Sequence, residues 1–531
     1  MTRQLDLLLI NPGGRQKVYQ GLQDADITAI ETPVWCGLIA GFVRKHGFTA
    51  EILDANANEE VFTCHPRLIA IVCYGQQPSA STQTMTAAND LAHRLKNVFA
   101  DLKIIMVGGH VAALPERTLE ESGADYVTTG DGCHTILDLL QREKQEDVRG
   151  LGFYGEMNLG SYHGVPEGTA KVYFETHSAP NAEPAEMEMA WDLFDPSKYR
   201  CHNWQTLGTG WGRSPYAALY TSLGCPYKCS FCCIQAPFKE GDRATASKRI
   251  SIEHHSGSSL VETANSYRLW PPDRIGQQIA ALHYDSGVKV FKVADEMFVL
   301  NRRHVTGVCD AIQARITNAG DTLNIWAYAR VDTANDVQLL AKMRSAGFRW
   351  LCLGIESASE SVRGGVDKGY AQEKIAKCVE RIKAAGIHVL ANYIFGLPED
   401  TLESMQQTLD MAVELNTPWA NFYSGMAYPG SQLYGDVQAG RIECAWKPAE
   451  SWSAYSQHSR DCQPMGTRHL SPAQVLEFRD KAFQTYFTSA RYLGMLVREF
   501  GTKAVKEVQA MTAHKLERNL LEEQRCISVG I

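Results

Sequence analysis

Three closely spaced cysteines form the strongest chemical signal in this sequence. They lie in the stretch Cys225-Pro-Tyr-Lys-Cys229-Ser-Phe-Cys232, directly after an apolar run that is typical of a β-strand. Cysteine thiolates are the usual ligands of iron–sulfur clusters, and a [4Fe–4S] cluster normally takes four of them. Three ligands from one loop leave one iron free to bind a substrate or cofactor. Structural zinc is the alternative, but such a site usually has four protein ligands, and no second C-x2-C or H-x3-H pair lies nearby.

The composition is that of an ordinary globular protein. A chain of 531 residues exceeds what one hydrophobic core normally holds, which predicts two or three domains. A net charge of −8 gives no electrostatic reason to expect nucleic acid as a partner. No stretch is long and apolar enough to span a bilayer, and the first apolar run is too short for a secretion signal. Fifteen scattered cysteines then indicate reduced thiols and a cytoplasmic location.

The first third of the chain alternates predicted strands with predicted helices. The strand-like runs are Leu5–Ile10, Thr49–Leu53, Arg67–Cys73, Lys103–Val107 and Asp125–Thr128. Such alternation predicts an α/β domain with a doubly wound, Rossmann-like parallel sheet. Ligands of these sheets bind beyond the carboxyl ends of the strands, where glycine allows the backbone to come close. The segments at those ends are rich in glycine and polar residues: Asn11–Gly14, Tyr74–Ser79, Gly108–His110 and Gly130–Gly132.

The middle of the chain repeats the strand–helix pattern six times. The predicted strands are Tyr216–Leu223, Lys289–Ala294, Leu323–Ala329, Phe348–Gly354, Ile387–Ile394 and Ala420–Ser424. Six such units predict a partial (β/α)6 barrel. In barrels of this type, functional residues gather at the carboxyl ends of the strands, and several of these strands end in charged residues.

The spacing C-x3-C-x-aromatic-C, with Phe231 as the aromatic residue, resembles the cluster motif of the radical SAM superfamily. In that family a [4Fe–4S] cluster binds the amino and carboxylate groups of S-adenosylmethionine (SAM) at its open iron. One-electron reduction then releases a 5′-deoxyadenosyl radical. The resemblance implies that Cys225, Cys229 and Cys232 are the cluster ligands and the catalytic centre.

Two later motifs resemble the part of the SAM site that holds the methionine moiety. Asp295 and Glu296 stand where the family usually has a GGE motif that binds the methionine amino group, so either carboxylate is a candidate. Arg330 lies in an A-R-V-D stretch after the third barrel strand. The resemblance implies that its guanidinium pairs with the SAM carboxylate through two parallel hydrogen bonds.

Two further motifs resemble the part of the site that holds the adenosyl moiety. Glu356, in a G-I-E-S stretch, is expected to contact the ribose or the methionine. Asn392 and Gly396 belong to a stretch similar to the G-x-I-x-G-x-x-E element, whose backbone contacts adenine in this family.

The N-terminal layout resembles the cobalamin-binding domain that precedes many radical SAM barrels. Gly108, Gly109 and His110 resemble its GG-x-H-style loop, and the turn that contains Gly130 and Asp131 resembles its later G-[ED]-G turn. The resemblance implies that these residues bind cobalamin. A flavodoxin-like nucleotide site, or an α/β domain that has lost the cofactor, stays open as the alternative.

The D-x-H-x-x-G signature of other cobalamin proteins is missing from the sequence. This implies that no histidine of that motif is the lower axial ligand of cobalt. Gln76, Gln77 or a water molecule is a candidate for the lower face, and Ser79 in the same loop is also expected to bind the cofactor. The residues do not decide among these.

The patterns divide the chain into four parts. Residues 1–149 are predicted to form the cobalamin-binding domain, residues 150–213 a linker, residues 214–435 the barrel, and residues 436–531 a mainly helical region related to the substrate. A long polar insertion between Phe238 and Trp270 precedes the first barrel helix. Insertions of this length are often functional loops or disordered, and we expect this one to face the substrate.

The resemblance implies a cobalamin-dependent radical SAM enzyme, and most members of that type are methyltransferases. The expected reaction is methylation of an unactivated carbon of a small molecule through methylcobalamin and a 5′-deoxyadenosyl radical. Three alternatives stay open: cyclisation or oxidation without methyl transfer, a radical SAM enzyme without cobalamin, and an iron–sulfur electron carrier or sensor. The expected partners are a small-molecule substrate and a one-electron reductant such as flavodoxin or ferredoxin.

Overall fold

The computed structural model describes residues 5–20, 22, 28–57, 65–75, 77–142, 144–158, 169–238, 265–318 and 320–529. The strands are β1 (Leu7–Asn11), β2 (Ala50–Asp54), β3 (Leu68–Val72), β4 (Lys103–Val107), β5 (Tyr126–Thr128), β6 (Leu151–Asn158), β7 (Thr169–Glu175), β8 (Tyr216–Leu219), β9 (Ser222–Gly224), β10 (Tyr267–Leu269), β11 (Val290–Val293), β12 (Asn324–Arg330), β13 (Phe348–Glu356), β14 (His388–Phe395) and β15 (Trp419–Ser424).

The α-helices are α1 (Arg15–Tyr19), α2 (Val34–Lys45), α3 (Pro78–Val98), α4 (Gly109–Ala113), α5 (Pro115–Ser122), α6 (Cys133–Gln141), α7 (Pro272–Ser286), α8 (Arg302–Gln313), α9 (Val337–Ser345), α10 (Glu360–Gly364), α11 (Gln372–Ala384), α12 (Leu402–Leu415), α13 (Gln432–Gln438), α14 (Pro472–Thr488), α15 (Ala490–Phe500), α16 (Thr502–Ala513) and α17 (Asn519–Val529). The chain divides into two compact units. The N-terminal unit comprises residues 1–14, 33–194 and 233–266, and the C-terminal unit comprises residues 15–32, 195–232 and 267–531.

The N-terminal unit is built on a sheet with the strand order β2-β1-β3-β4-β5-β6-β7. The first five strands pair in parallel, and β6 and β7 extend the sheet in antiparallel fashion. The order 2-1-3-4-5 is that of a flavodoxin-like doubly wound sheet, so the predicted Rossmann-like fold is confirmed. β1 and β3 are buried along their whole length and apolar except for Asn11 at the end of β1, as expected for central strands of a sheet covered on both faces. β6 and β7 lie within the segment predicted to be a linker.

The C-terminal unit contains a parallel sheet with the strand order β15-β14-β13-β12-β11-β8. Every pair of neighbours in this sheet is parallel. Helices connect the successive strands, which is the arrangement predicted for a partial (β/α)6 barrel, so that prediction is confirmed. All carboxyl ends therefore lie on one edge, where the predicted SAM motifs meet.

The first barrel strand is shorter than predicted. The sequence predicts one strand over Tyr216–Leu223, but β8 ends at Leu219 and β9 leaves the main sheet to pair with β10 in antiparallel fashion. The break occurs because the buried carboxylate of Asp295 accepts hydrogen bonds from the backbone N–H of Thr221 at 2.5 Å and from Ser222 Oγ at 2.7 Å. Side-chain hydrogen bonds of this kind replace the ladder, and the apolar pattern alone does not reveal them.

The predicted helical character of the C-terminal region is confirmed. α14 begins with a capping box between Ser471 and Gln474, and Arg479 donates a hydrogen bond of 2.7 Å to the carbonyl of Phe422 on β15. α14 and α15 are separate helices, because Ser489 caps the start of α15. In the part of the chain that the structure describes, no helix has both the length and the apolar character needed to cross a membrane.

Candidate functional site

The three cysteines lie in the loop that follows β9. Cys225 is buried, whereas Cys229 and Cys232 are partly exposed. Burial raises the pKa of the Cys225 thiol to about 11. Among the described residues, no three His, Cys, Asp or Glu side chains converge on a point where one metal ion could bind. Each thiol of a [4Fe–4S] cluster binds a different iron, so this donor set fits a cluster better than tetrahedral zinc.

The cysteine loop is held in place from two sides. The backbone N–H of Ser230 donates to the carbonyl of Val366 at 3.3 Å, and the backbone N–H of Leu433 donates to the carbonyl of Ser230 at 2.8 Å. Phe231, the aromatic residue of the motif, packs against a buried cluster that includes Val362 and Val366. The loop therefore depends on the segment that follows β13 and on the start of α13.

Arg330, at the end of β12, contacts the cysteine loop directly. Its guanidinium donates to Cys229 Sγ at 3.3 Å and lies 3.8 Å above the ring centre of Tyr227. Its other two nitrogens donate to the carboxylate of Asp332 at 2.9 and 3.2 Å. Burial acts to lower the pKa of Arg330, but Asp332 raises it, and the net shift is upward. The structure thus brings the predicted SAM-carboxylate residue next to a predicted cluster ligand.

The acidic pair after β11 divides into two different environments. Asp295 is fully buried and accepts hydrogen bonds from Thr221 and Ser222, which shape the turn before the cysteines. Glu296 is partly exposed, and Oε2 accepts one hydrogen bond, of 3.0 Å, from the backbone N–H of Gly224. Burial and the neighbouring Asp295 raise the pKa of Glu296 to about 8. Asp295 is engaged inside the protein, so Glu296 is the better candidate for contact with SAM.

Glu356, at the end of β13, adopts a backbone conformation that is unusual for a non-glycine residue. Its φ is +66°, and the pairing of β13 with β14 shifts register between Gly354 and Glu356. Its buried carboxylate forms an ion pair with Lys368. Strained backbone of this kind is concentrated at functional sites, which supports Glu356 as a site residue.

Lys368 is a site residue that the sequence did not reveal. It is 5% exposed, and Nζ lies 5.9 Å from the ring centre of Phe231. Burial acts to lower its pKa, but Glu356 and, to a smaller extent, the Cys229 thiolate raise it, and the net shift is upward. Lys368 follows a glycine-rich turn in no recognisable motif, so only its tertiary contacts mark it as important.

The loop after β14 is shaped by a second missed residue, Asp400. Its buried carboxylate accepts hydrogen bonds of 3.0 Å from the backbone N–H groups of both Gly396 and Leu397. Gly396 has a φ of +85°, and a Cβ there would lie 2.4 Å from a methyl group of Val475. Asp400 and Gly396 therefore fix the backbone that the motif predicts to contact adenine.

Asn392 faces polar neighbours on adjacent strands. Its amide donates to Cys352 Sγ at 3.2 Å and accepts from the amide of Asn421 at 3.0 Å. These three residues lie on β13, β14 and β15 and form a row across the sheet. The predicted contact of Asn392 with SAM stays a prediction.

In the N-terminal unit, the carboxyl ends of β4 and β5 carry the glycines predicted to meet cobalamin. Gly108 has a φ of +156°, and a Cβ there would lie 2.4 Å from the carbonyl oxygen of Cys73, so a side chain does not fit. Gly109 and Gly130 have more space, because the nearest atoms to a Cβ would be 3.7 and 3.9 Å away. Glycine lets another group approach the backbone closely, so the backbone at Gly109 and Gly130 fits contact with a large flat cofactor such as cobalamin.

Two other predicted residues of this unit, His110 and Asp131, are engaged within the protein. His110 is 2% exposed, and its Nδ1 lies 3.2 Å from Thr82 Oγ1. Burial lowers the pKa of His110 to about 3, so the ring is neutral. The carboxylate of Asp131 accepts a hydrogen bond of 2.8 Å from the backbone N–H of Ala182. Both side chains fix loops at the carboxyl edge of the sheet, and their direct contact with a cofactor stays a prediction.

The segment at the start of α3 contains the residues considered as candidates for the lower face of cobalt. Gln77 directly precedes this helix and Ser79 lies in its first turn, and both are partly buried. Gln76 lies outside the described residues, as do residues 239–264 of the insertion predicted to face the substrate. The proposed roles of these residues remain predictions.

Comparisons with known families give a match for the C-terminal barrel and a match for the N-terminal domain. The family model described as the radical SAM superfamily matches residues 219–412, and the model described as the B12 binding domain matches residues 24–140. The chain therefore belongs to the radical SAM superfamily. Within it, the chain is of the kind that carries a B12-binding domain ahead of the barrel.

Individual relatives are distant but extend over most of the chain. An uncharacterised methyltransferase of Pyrococcus horikoshii is 24% identical over 87% of this chain and 89% of its own length. The anaerobic magnesium-protoporphyrin IX monomethyl ester cyclase of Rubrivivax gelatinosus is 24% identical over 78% of this chain and 67% of its own. The radical SAM methyltransferase TsrM of Kitasatospora setae, solved with cobalamin and a [4Fe–4S] cluster bound, superposes with a TM-score of 0.60, at 15% identity over 92% of this chain and 90% of its own.

The cofactors follow from the two domains. A radical SAM domain uses a [4Fe–4S] cluster and SAM, and a B12-binding domain uses cobalamin. The predicted family, fold and cofactors are thereby confirmed, and the protein is a cobalamin-dependent radical SAM enzyme.

Proposed function

We propose that this enzyme transfers a methyl group to an unactivated carbon of a small-molecule substrate. The observation that supports the proposal is the alignment of 87% of the chain with a relative named as an uncharacterised methyltransferase, together with the matches to both cofactor domains. An sp3 carbon has no lone pair with which to attack SAM, so its methylation needs both radical and methyl-carrier chemistry. When bound, the cluster with SAM supplies a hydrogen-abstracting radical, and cobalamin supplies the methyl carrier.

The roles proposed for the barrel residues follow from their surroundings. Cys225, Cys229 and Cys232 hold the cluster. Arg330 pairs with the SAM carboxylate, and Glu296 accepts a hydrogen bond from the SAM amino group. Asp295 positions the cysteine loop through Thr221 and Ser222 and does not touch SAM.

The proposed roles of the remaining site residues follow the same logic. Glu356 contacts the ribose or the methionine, and the backbone around Gly396 receives the adenine. In the N-terminal unit, the glycine backbone at Gly109 and Gly130 lies against cobalamin. This function also requires a one-electron donor, for which flavodoxin or ferredoxin is suited.

The first test is the cofactor content of anaerobically purified protein reconstituted with iron, sulfide and hydroxocobalamin. About four irons and about one cobalt per chain are expected. The reconstituted enzyme is then incubated with trideuteromethyl SAM, a reductant and fractionated small-molecule extracts. A product that gains a CD3 group, formed together with S-adenosylhomocysteine and 5′-deoxyadenosine, supports methyl transfer. The variant Cys229→Ala should lose both the cluster and the 5′-deoxyadenosine.

A second candidate function is ring formation or oxidation without methyl transfer. It is favoured by the similarity to an anaerobic cyclase over 78% of this chain. This reaction would release 5′-deoxyadenosine without S-adenosylhomocysteine, and the product would lose hydrogen instead of gaining a CD3 group. Such a result would replace the methyltransferase proposal.

A further inference from the structure

A second buried cation lies beside the cysteine loop and has no part in the roles proposed above. Lys368 Nζ lies 5.9 Å from the ring centre of Phe231. Phe231 is the residue that stands between Cys229 and Cys232 in the sequence. The preceding residue, Asp367, places its carbonyl oxygen 3.9 Å from Cys229 Sγ. On its other side, the Lys368 ammonium forms the ion pair with Glu356. Lys368 thus joins a predicted cluster loop to a predicted SAM contact.

The surroundings of this ion pair are built to hold it in one arrangement. A Cβ at Gly354 would lie 2.7 Å from both Glu356 Oε1 and Lys368 Nζ, so a side chain there would displace the pair from this arrangement. The phenol of Tyr370 donates to the carbonyl of Gly354 at 3.0 Å, which ties down the irregular end of β13. The pair is therefore a fixed part of the site, unlike a surface salt bridge whose partners move freely.

The turn that carries Lys368 is fixed by another buried charge. The guanidinium of Arg363 is fully buried and donates to the carbonyls of Ala358 at 2.8 Å and Tyr370 at 2.6 Å. These bonds close the segment between the end of β13 and Tyr370 into one rigid turn. The ammonium of Lys368 consequently has little freedom to leave its position.

We propose that Lys368 is a positioning residue of the cofactor site, which orients the Glu356 carboxylate towards SAM and places a fixed positive charge beside the cluster. One carboxylate oxygen of Glu356 is taken up by the ammonium, which leaves the other for the ligand. This inference rests on the cluster and SAM of the proposed function and is independent of which substrate is methylated.

The charge of Lys368 has an expected effect on cluster reduction. Reduction adds one negative charge to a cluster already ligated by thiolates, and a nearby buried cation stabilises the reduced form. Removing the cation with Lys368→Met should shift the midpoint potential to more negative values. Removing the neighbouring anion with Glu356→Gln should shift it in the opposite direction. A merely structural role would loosen the loop in both variants and move both potentials the same way.

The test uses full-length reconstituted protein and needs no methyl acceptor. The midpoint potential is measured by a redox titration followed by EPR of the reduced cluster, and SAM affinity by calorimetry on the oxidised form. Lys368→Met should weaken SAM binding about tenfold, as expected for a lost charge-assisted hydrogen-bond network. Lys368→Arg should restore the potential, because it keeps the charge. Lys374→Met, at an exposed position on α11, serves as the matched control and should change neither quantity.

Three results would overturn the proposal. The first is a Lys368→Met protein that holds its cluster and shows the wild-type potential and SAM affinity. The second is a shift of the potential in the same direction for Lys368→Met and Glu356→Gln. The third result applies if Lys368→Met does not retain a cluster, in which case Lys368→Arg is measured instead. A midpoint potential of Lys368→Arg far from that of the wild type would then overturn the proposal. Because no methylation is measured, these results depend on the cluster and SAM but not on whether a substrate is methylated.

Discussion

The guanidinium of Arg330 donates a hydrogen bond of 3.3 Å to Sγ of Cys229, although the two residues are 101 positions apart in the chain. The end of β12 is therefore part of the surroundings of the predicted cluster. The same guanidinium stacks on Tyr227 and pairs with Asp332 through two nitrogens. These contacts require the planar shape of the guanidinium as well as its charge.

Replacing Arg330 by lysine should therefore impair SAM binding even though the charge is kept. An ammonium cannot reproduce the forked pairing or the stacking, so we expect the dissociation constant for SAM to rise about tenfold or more. Calorimetry on the reconstituted protein measures this, with iron analysis to show that the cluster is retained. Arg303→Lys, at an exposed position on α8, is the matched control. Wild-type affinity in Arg330→Lys would refute the role assigned to Arg330.

The two acidic residues after β11 should respond differently to amide substitution. In Asp295→Asn, the amide N–H group would face the hydrogen-bond donors of Thr221 and Ser222. We therefore expect the free energy of unfolding to fall by about 3 kcal/mol. The iron content of the protein should fall as well, because these bonds shape the turn before the cysteines. Glu296→Gln should keep the fold and the iron but bind SAM more weakly. Denaturant unfolding, iron analysis and calorimetry separate the two outcomes. Equal loss of stability in both variants would show that the division of roles is wrong.

The adjacent glycines after β4 offer a matched pair of alanine substitutions. Gly108→Ala places a Cβ against the carbonyl of Cys73 at a φ of +156° and should lower the melting temperature of the protein. Gly109→Ala meets no atom closer than 3.7 Å and should fold normally, but the added methyl group should reduce cobalamin retention. Thermal unfolding and cobalt analysis test both statements. Full cobalt content in Gly109→Ala would remove Gly109 from the cobalamin contact surface.

Asp400 should make the stability of the protein depend on pH. Burial raises its pKa from the ordinary 3.8 to about 6, so the folded state holds the proton more tightly than the unfolded state. Its contribution to the free energy of unfolding is then complete below about pH 4 and is lost as the pH rises through about 6. The stability difference between wild type and Asp400→Asn should shrink over this interval in denaturant titrations. A difference that is constant from pH 4 to pH 7 would contradict the raised pKa.

The sequence predicted the architecture well because the strands are short, apolar and bounded by glycine. β4 was predicted with its observed bounds, and the other central strands to within a few residues. Periodicity failed where a side chain intervened, as at Thr221, whose hydrogen bonds to Asp295 end β8 early. Such a contact joins residues 74 positions apart, and local pattern carries no trace of it.

Only part of the candidate site could be predicted, because local sequence reveals motifs but not contacts between distant segments. Motifs located Cys229, Arg330 and Glu356, because their neighbours in sequence are characteristic. They did not separate Asp295 from Glu296, which differ only in what surrounds them in the folded chain. They also missed Lys368 and Asp400. Lys368 stands out only through its buried ion pair with Glu356, 12 positions away. Asp400 stands out only because it accepts hydrogen bonds from backbone N–H groups, which any residue would provide.

The antiparallel pairing of β9 with β10 allows the length of the segment between these strands to change. Gly224 pairs with Tyr267, so the 42-residue segment from Cys225 to Ser266 begins and ends on neighbouring strands. The cost of closing such an excursion grows slowly with its length, by about 0.6 kcal/mol for each doubling. Residues can therefore be added or removed beyond the cysteines without moving the barrel strands.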